Sequence, residues 1–257
     1  MTTTIQLPTR SSGGDELQRI VNVAKLHITA RFALLVLPWL ILAIIFVANL
    51  AIWMLIRTAA GDEAMSEAGE GMQFSGASSF IFVYMMVVAV QAVNATFPFA
   101  LGFGVTRRDF YLGSSLVFVG LSAYFAAGLT FLNWVERSTN GWGLGGRMFD
   151  VVYFSTENLL TQFLQFFLVF LFFFFVGAAT GSVYVRWKSF GMIVFFAALG
   201  FALIGAAAVI TLTESWGAVG EWFVSNGPLG VALWLLVPTV LSALAGFQLL
   251  RRATPRN

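Results

Sequence analysis

The chain contains no cysteine and a single histidine, His27, among its 257 residues. Disulfides, thiolate metal sites, haem attachment through cysteine and Cys/His catalysis are therefore excluded. No Gly-x-x-x-x-Gly-Lys-(Ser/Thr) sequence occurs either, so the chain has no P-loop of its own with which to bind and hydrolyse ATP. If it belongs to an ATP-driven machine, the ATPase is another polypeptide.

Charged residues are scarce as well, at 10% of the chain, whereas 59% of the residues are hydrophobic. A soluble globule of this composition would lack the polar surface that it needs, so the natural solvent of the chain is a lipid bilayer. The net charge is only +2 and no clustered basic face is evident, so we expect no nucleic-acid partner.

Six uncharged stretches are each long enough to cross a hydrocarbon core as a helix, which takes about 20 residues. They cover residues 32–56, 78–103, 111–134, 158–183, 189–213 and 229–250. Membrane β-strands are short and alternate in polarity, whereas these runs are continuously apolar. The sequence predicts an all-α membrane protein with a segment 1–31 before the first of six transmembrane helices (32–250) and a tail 251–257. The first span is too long for a signal-peptide core, so we expect no cleaved leader.

The interiors of these stretches contain no Asp, Glu, Lys, Arg or His. Ion-coupled carriers often use such groups within the membrane, so their absence disfavours ion coupling. An intramembrane enzyme would need nucleophiles, metal ligands or carboxylates there, so we expect no catalytic residue and no metal site.

Basic residues mark the expected cytoplasmic side, because Lys and Arg near span ends are retained there. One side collects eleven of the 14 basic residues, which are Arg10, Arg19, Lys25, Arg31, Arg107, Arg108, Arg186, Lys188, Arg251, Arg252 and Arg256. The other side holds Arg57, Arg137 and Arg147. This pattern predicts a multi-pass protein of the cell (plasma) membrane with both termini in the cytoplasm.

Residues 15–31, before the first span, have an amphipathic pattern. The apolar residues at helical spacing are Leu17, Ile20, Val21, Ala24 and Ile28, and the polar residues largely off that stripe include Arg19, Asn22, Lys25 and Arg31. The pattern predicts a helix on the inner membrane surface. A simple interfacial anchor and a partner-contacting helix both remain open.

The segment from Gly102 to Gly113, between the second and third predicted spans, has mixed chemistry. Its glycines permit a sharp exit from a helix, and Arg107 and Arg108 point charge toward the cytosol. Asp109 adds an acceptor, and the next two residues add aromatic surface. If the segment served only to set the orientation in the membrane, the two arginines would be sufficient.

The string from Phe97 to Gly113, which contains Gly-Val-Thr-Arg-Arg-Asp-Phe, resembles the loop after the second span of permease subunits in the type-2 ATP-binding-cassette (ABC) exporter family. The resemblance implies six spans with both ends inside, an amphipathic helix before the first span, and a short coupling helix between spans two and three that inserts into a cytosolic ATPase subunit. It also implies a second permease copy or homologue as partner, with ATP and Mg held by the ATPase and no cofactor in this chain. A re-entrant segment before the sixth span is implied too, and residues 214–227 are compatible with one.

The resemblance assigns the coupling surface to Val105, Thr106, Arg107, Arg108, Asp109, Phe110 and Tyr111. Val105 and Phe110 would be its apolar knobs, and Arg107, Arg108 and Asp109 its polar contacts. Replacing those three polar residues together with Ala is expected to uncouple ATP hydrolysis from transport. In the second span, Gln91 and Asn94 either line a pathway or bond across helices.

The alternative function is a membrane scaffold or immunity-type protein that binds a partner in the bilayer and transports nothing. It predicts no ATPase companion. Within the chain, Gly177 and Gly181 are spaced so that helix backbones can approach closely, and we expect them to pack within the molecule rather than between subunits.

Overall fold

The computed structural model describes residues 13–27, 32–74, 76–156 and 158–253, and in the first helix it describes side chains only for residues 18–25. Within these ranges the regular structure is helical and contains no strand. The helices are α1 Gly13–His27, α2 Leu37–Met72 after a π-helical turn Phe32–Val36, α3 Phe80–Gly102, α4 Arg107–Ser138, α5 Leu159–Leu212, α6 Trp216–Trp234 and α7 Leu236–Arg252. Some residues for which the sequence made predictions lie outside the described part, namely the Leu17 side chain, Ile28, Arg31 and the tail after residue 253.

Five helical stretches in the described ranges are long and apolar enough to cross a membrane: Phe32–Met72, Ala77–Gly102, Arg107–Ser138, Leu159–Leu212 and Trp216–Arg252. The predicted helical membrane fold is confirmed to this extent. The fourth stretch covers two predicted spans, 158–183 and 189–213. Within it only Lys188 leaves the helical conformation (φ 55°, ψ −149°), so the expected short connection at 184–188 is reduced to a break at one residue.

Two other helices also break at one residue. Gly61 in α2 has φ 85° and Gly227 in α6 has φ 63°, values that favour glycine because a Cβ would strain them. The first predicted span ended at residue 56, whereas α2 continues to Met72. The added segment is polar but rich in Ala, Glu and Met, which have high helix propensity, so the helix outlasts the apolar run.

The first half of α5, residues 159–187, lies at the centre of the core and packs against α3, α4 and α7. Several of its phenylalanines contact aromatic rings on α3 and α4. Phe174 stacks on Phe118 of α4 with 5.2 Å between ring centroids, and Phe170 lies 4.7 Å from Phe82 of α3. Both α5 side chains are fully buried, so aromatic area supplies much of the packing here.

Gly177 and Gly181 form the closest part of the contact between α5 and α3. A Cβ at Gly177 would lie 2.4 Å from the carbonyl oxygen of Met86, and one at Gly181 would lie 2.9 Å from that of Val90. Both neighbours are backbone atoms and cannot move aside cheaply. The two glycines therefore pack within the chain, as the sequence predicted.

The long helix α4 gives the molecule two ends. Its 32 residues span about 48 Å at the usual rise per residue. At one end, residues 103–106 join α3 to α4, and we call them the elbow. At the other, the far end, α4 leads into the loop 139–158. Arg107 and Arg108 thus lie at the opposite end of α4 from Arg137, and this separation agrees with the two groups of basic residues in the sequence.

Gly177→Ala should destabilise the protein by about 1 to 3 kcal/mol, because the added methyl group overpacks the seam between α3 and α5. The thermal unfolding midpoint in detergent measures the effect. Gly200→Ala is the matched control, since Gly200 lies in the same helix and a Cβ there meets nothing within 4 Å. Equal midpoints for the two variants would show that the seam is not as tight as described.

Candidate functional site

The elbow begins where glycine ends α3. Gly104 adopts φ 77°, its backbone N–H donates to Leu101 O (3.0 Å), and the N–H of Val105 donates to Ala100 O (3.1 Å). This pair of bonds is a Schellman motif, which satisfies carbonyls at the helix end and needs a residue that tolerates the left-handed region. The chain therefore turns sharply at Gly104.

The next helix starts almost at once. Thr106 is extended (φ −71°, ψ 151°), and its Oγ1 accepts a hydrogen bond of 3.1 Å from the Asp109 backbone N–H, so it caps α4. No separate coupling helix lies between α3 and α4 in the described chain, in contrast to what the resemblance implies. The first turns of α4 occupy that place instead.

The predicted coupling residues differ in exposure. Phe110 is fully buried with its ring 5.2 Å from that of Phe97, and Tyr111 is buried with its hydroxyl donating to Ala243 O (2.5 Å). Val105 is half-buried against the core, whereas Thr106 and Arg108 are exposed. Phe110 is therefore a core residue in this structure and does not project as a knob.

Phe103 is the exposed aromatic residue of the elbow, with 74% of its surface accessible. Its ring packs edge-to-face on Phe99, 4.7 Å away, and both side chains face outward. The sequence analysis did not single it out, because an aromatic residue at the end of an apolar span is indistinguishable from lipid-facing bulk. The sequence signal for an exposed Phe103 was the glycine that follows it, Gly104. A helix that ends at a glycine leaves the preceding side chain on the turn.

An ion pair attaches α1 to this end of α4. Arg19 Nε lies 3.1 Å from Asp109 Oδ2, and only 4% of the Asp109 side chain is exposed compared with 44% of that of Arg19. Asp109 also lies in the first turn of α4, where the helix dipole favours a negative charge. The carboxylate therefore joins a segment 90 residues earlier in the chain to the elbow.

The contact face of α1 differs from the predicted stripe. Val23 and Ala24 are buried and Ile20 is half-buried, while Val21 is 38% exposed. The reason is close packing at Gly113, where a Cβ would lie 2.7 Å from Val23 Cβ. Of the predicted polar residues, Arg19, Asn22 and Lys25 are exposed, and Arg31 lies outside the described residues. The buried face of α1 thus packs against α4.

The end of α7 also reaches the elbow. Arg107 is half-buried, and its Nη1 donates to Arg251 O (2.6 Å). The basic residues Arg19, Arg107, Arg108, Arg251 and Arg252 are thereby gathered at one end of the molecule. Of the predicted coupling arginines, Arg107 is held within the chain and Arg108 is the more exposed.

The two predicted pathway residues of α3 separate. Gln91 lines a largely apolar cavity of about 230 Å³ together with Tyr84, Phe118 and Leu121. Asn94 is half-buried and does not line that cavity. The structure therefore does not bring the two side chains to one polar pathway.

At the far end, the carboxylate of Glu136 organises a loop that the sequence analysis missed. Glu136 is buried, and it accepts hydrogen bonds from Trp142 Nε1 (3.1 Å) and from the backbone N–H groups of Met148, Phe149 and Asp150 (2.8 to 3.1 Å). Four donors satisfy one buried charge. The sequence signal was a carboxylate at the end of a span followed by a loop with four glycines.

A polar cavity of about 640 Å³ lies beside this loop, between the end of α4 and the C-terminal part of α2. Its lining includes the arginines Arg57, Arg137 and Arg147, and the acids Asp62, Glu70, Glu136 and Asp150. Arg57 is held by Asp62 at 2.7 Å and donates to Gly143 O. The cavity therefore brings three arginines and four acids together, whereas the elbow end is basic.

Comparisons of the chain with protein-family models, with curated proteins and with solved structures give no match. The resemblance to ABC permeases therefore depends on the residues around the elbow alone.

Loss of the Arg19–Asp109 pair should loosen α1 by about 1 kcal/mol, a five-fold increase in opening, since one partner is half-exposed. Val23→Cys reports this in a chain without native cysteine, because Val23 is only 2% exposed. Adding Arg19→Ala should speed maleimide labelling of that cysteine about five-fold. Gln18→Ala in the same helix is the control. An equal increase in labelling rate with Gln18→Ala would show that the Arg19–Asp109 pair does not specifically hold α1 in place.

Proposed function

We propose that the chain is the permease subunit of an ATP-driven ABC exporter, and that the elbow end couples it to a separate cytosolic ATPase. The local sequence from Phe97 to Gly113 supports the family. The geometry supports the coupling role, because the small exposed surface at the elbow end adjoins residues that are buried or ion-paired.

The observation that carries the proposal is the division between exposed and anchored residues in the elbow and the first turn of α4. Phe103 and Arg108 are exposed, whereas Asp109 is clamped to Arg19 and Phe110 is buried in the core. Exposed aromatic and arginine residues are typical of the side chains that dominate protein interfaces. A force applied there would move α4 and α1 together, since both are attached through Asp109.

Six membrane crossings follow if α5 turns at Lys188 and the chain turns again before α7. The 54 residues of α5 are about twice the length that a bilayer needs. In this arrangement α3, α5 and α7 all bring chain to the elbow end, and the basic residues there lie in the cytoplasm. Residues Trp216 to Asn226, followed by the break at Gly227, then form the short segment that enters the membrane without crossing it.

In this mechanism the chain performs no covalent chemistry. ATP and Mg act on the partner ATPase, and closure of the ATPase subunits presses on the elbow. A second permease copy or homologue completes the pathway, and the helices rock between inward and outward states. Phe103 and Arg108 carry the contact, whereas Arg107 and Asp109 hold the elbow in place.

A membrane scaffold or immunity-type protein is the competing function. It shares the exposed apolar helices but requires no ATPase. The two proposals differ in the companion that purifies with the chain, so one experiment separates them.

Phe103→Ala combined with Arg108→Ala should reduce recovery of a P-loop ATPase with the detergent-purified chain by about ten-fold or more, because interface aromatic and arginine residues often contribute 2 kcal/mol or more. Quantitative mass spectrometry of the companions measures this. Phe201→Ala is the matched control, since Phe201 in α5 is 75% exposed, close to the 74% of Phe103. Equal recovery from both variants, or companions without a P-loop, would contradict the proposal.

A further inference from the structure

A second, smaller cavity lies among the helices that are long enough to cross a membrane. It has a volume of about 230 Å³, and its walls come from the turn before α2, from α3 and from α4. We call it the span cavity. The described residues that line it include no Asp, Glu, Lys, Arg or His. A charged ligand would meet no counter-charge there, and charge is costly in hydrocarbon, so the span cavity suits an uncharged molecule.

Gln91 is the polar side chain of the span cavity whose hydrogen bonds are unused. The Tyr84 hydroxyl donates to Ala33 O (3.1 Å). The Thr96 hydroxyl donates to Ala92 O within its own helix. Gln91 lines the cavity and is exposed, and its amide makes no hydrogen bond with any described residue. A ligand in the cavity can therefore reach an amide that both donates and accepts.

The depth of Gln91 limits what can pair with it. Gln91 is the middle residue of the 23-residue helix α3, so each end of the helix is about 17 Å away along the axis. Where α3 crosses a bilayer, whose hydrocarbon core is about 30 Å thick, the amide lies near the centre and beyond the reach of lipid headgroups. No water is present at that depth to take their place. The partner must carry its own polar group into the hydrocarbon.

A lipid tail fills the space without satisfying the amide. An amide left unpaired in an apolar site loses roughly ten-fold or more in affinity compared with one that is hydrogen-bonded. A molecule with one uncharged hydrogen-bonding group is therefore preferred over an acyl chain in the span cavity.

The volume of the span cavity limits the size of its occupant. One turn of a helix takes up about 400 Å³, so a helix from a second copy of the chain does not fit within 230 Å³. A cavity of about 150 Å³ already holds a benzene ring. The space therefore suits a group of about one substituted ring, and the rest of a larger molecule would extend into the bilayer.

We propose that the span cavity binds an uncharged lipophilic molecule from the bilayer, whose amide or hydroxyl group bonds with the Gln91 amide. Its apolar body lies against Phe118 and Leu121, which form part of the cavity wall. The site is separate from the elbow and needs no ATPase, so ligand binding and recovery of an ATPase are independent readouts.

Binding is tested on the purified full chain in nanodiscs by fluorine NMR. The probes are ring-fluorinated N-octylbenzamide and 4-octylphenol, with ring-fluorinated octylbenzene as the hydrocarbon control. Affinities are expressed per mole fraction of probe in the bilayer, so that differences in partition into lipid do not enter. At least one polar probe should bind saturably, and about ten-fold or more tightly than octylbenzene, because it pairs with the amide.

Gln91→Leu should reduce this preference to about two-fold or less, since the hydrogen bond is lost. Gln248→Leu is the matched control and should keep the preference, because Gln248 is an exposed glutamine of α7 outside the cavity. Ala92→Phe, which places a ring in the cavity, should weaken binding of the polar probe at least ten-fold.

Equal binding of the polar and hydrocarbon probes to the wild-type protein, or no saturable binding of either polar probe, would overturn the proposal. Both comparisons use the wild-type chain, so a variant that fails to fold leaves them intact. Efficient disulfide cross-linking of Gln91→Cys between two copies in the bilayer would also overturn it, since a second chain would then cover the amide.

Discussion

A buried carboxylate needs a partner, and at Asp109 this requirement connects three parts of the chain. The partner, Arg19, belongs to α1, and the carboxylate itself stands in the first turn of α4, directly after the elbow. Since Arg19 remains 44% exposed, the pair is partly solvated and contributes a modest free energy to this connection. The position of α1, the start of α4 and the orientation of the elbow therefore depend on one another.

Each end of α4 carries a buried acidic side chain, and the two are stabilised in different ways. At the elbow end, Asp109 lies at the positive end of the helix dipole and takes a guanidinium partner. At the far end, Glu136 lies near the negative end of the dipole, which disfavours it, and backbone N–H groups with the Trp142 indole compensate. The first arrangement binds a separate helix, whereas the second folds a loop and shapes a cavity. The two ends of α4 are thus held by different kinds of contact.

The main features of the fold could be predicted because they depend on local sequence. Apolar runs of about 20 residues predicted helices that could cross a membrane, and the four-residue spacing of Gly177 and Gly181 predicted a close helix seam. The end of α2 could not be located from hydropathy, since helix propensity carries the helix past the apolar run.

Less of the candidate site could be predicted, because it depends on contacts between distant residues. The sequence placed charge and aromatic residues at the elbow but could not separate the exposed Phe103 from the buried Phe110. The buried face of α1 differs from the predicted stripe because Val23 packs closely against Gly113. The Glu136 loop could not be predicted, since the carboxylate and the four glycines after it do not specify which backbone N–H groups donate to it.

Coupling to a cytosolic ATPase requires that the elbow end face the cytoplasm, and single-cysteine labelling in intact cells tests this most directly. The chain has no native cysteine, so Arg108→Cys and Arg147→Cys each provide one reactive thiol, at the elbow end and at the far end respectively. A membrane-impermeant maleimide should label Arg147→Cys in intact cells and Arg108→Cys only after the cells are opened. Labelling of Arg108→Cys from outside would contradict the proposed orientation and, with it, coupling of the elbow to a cytosolic ATPase.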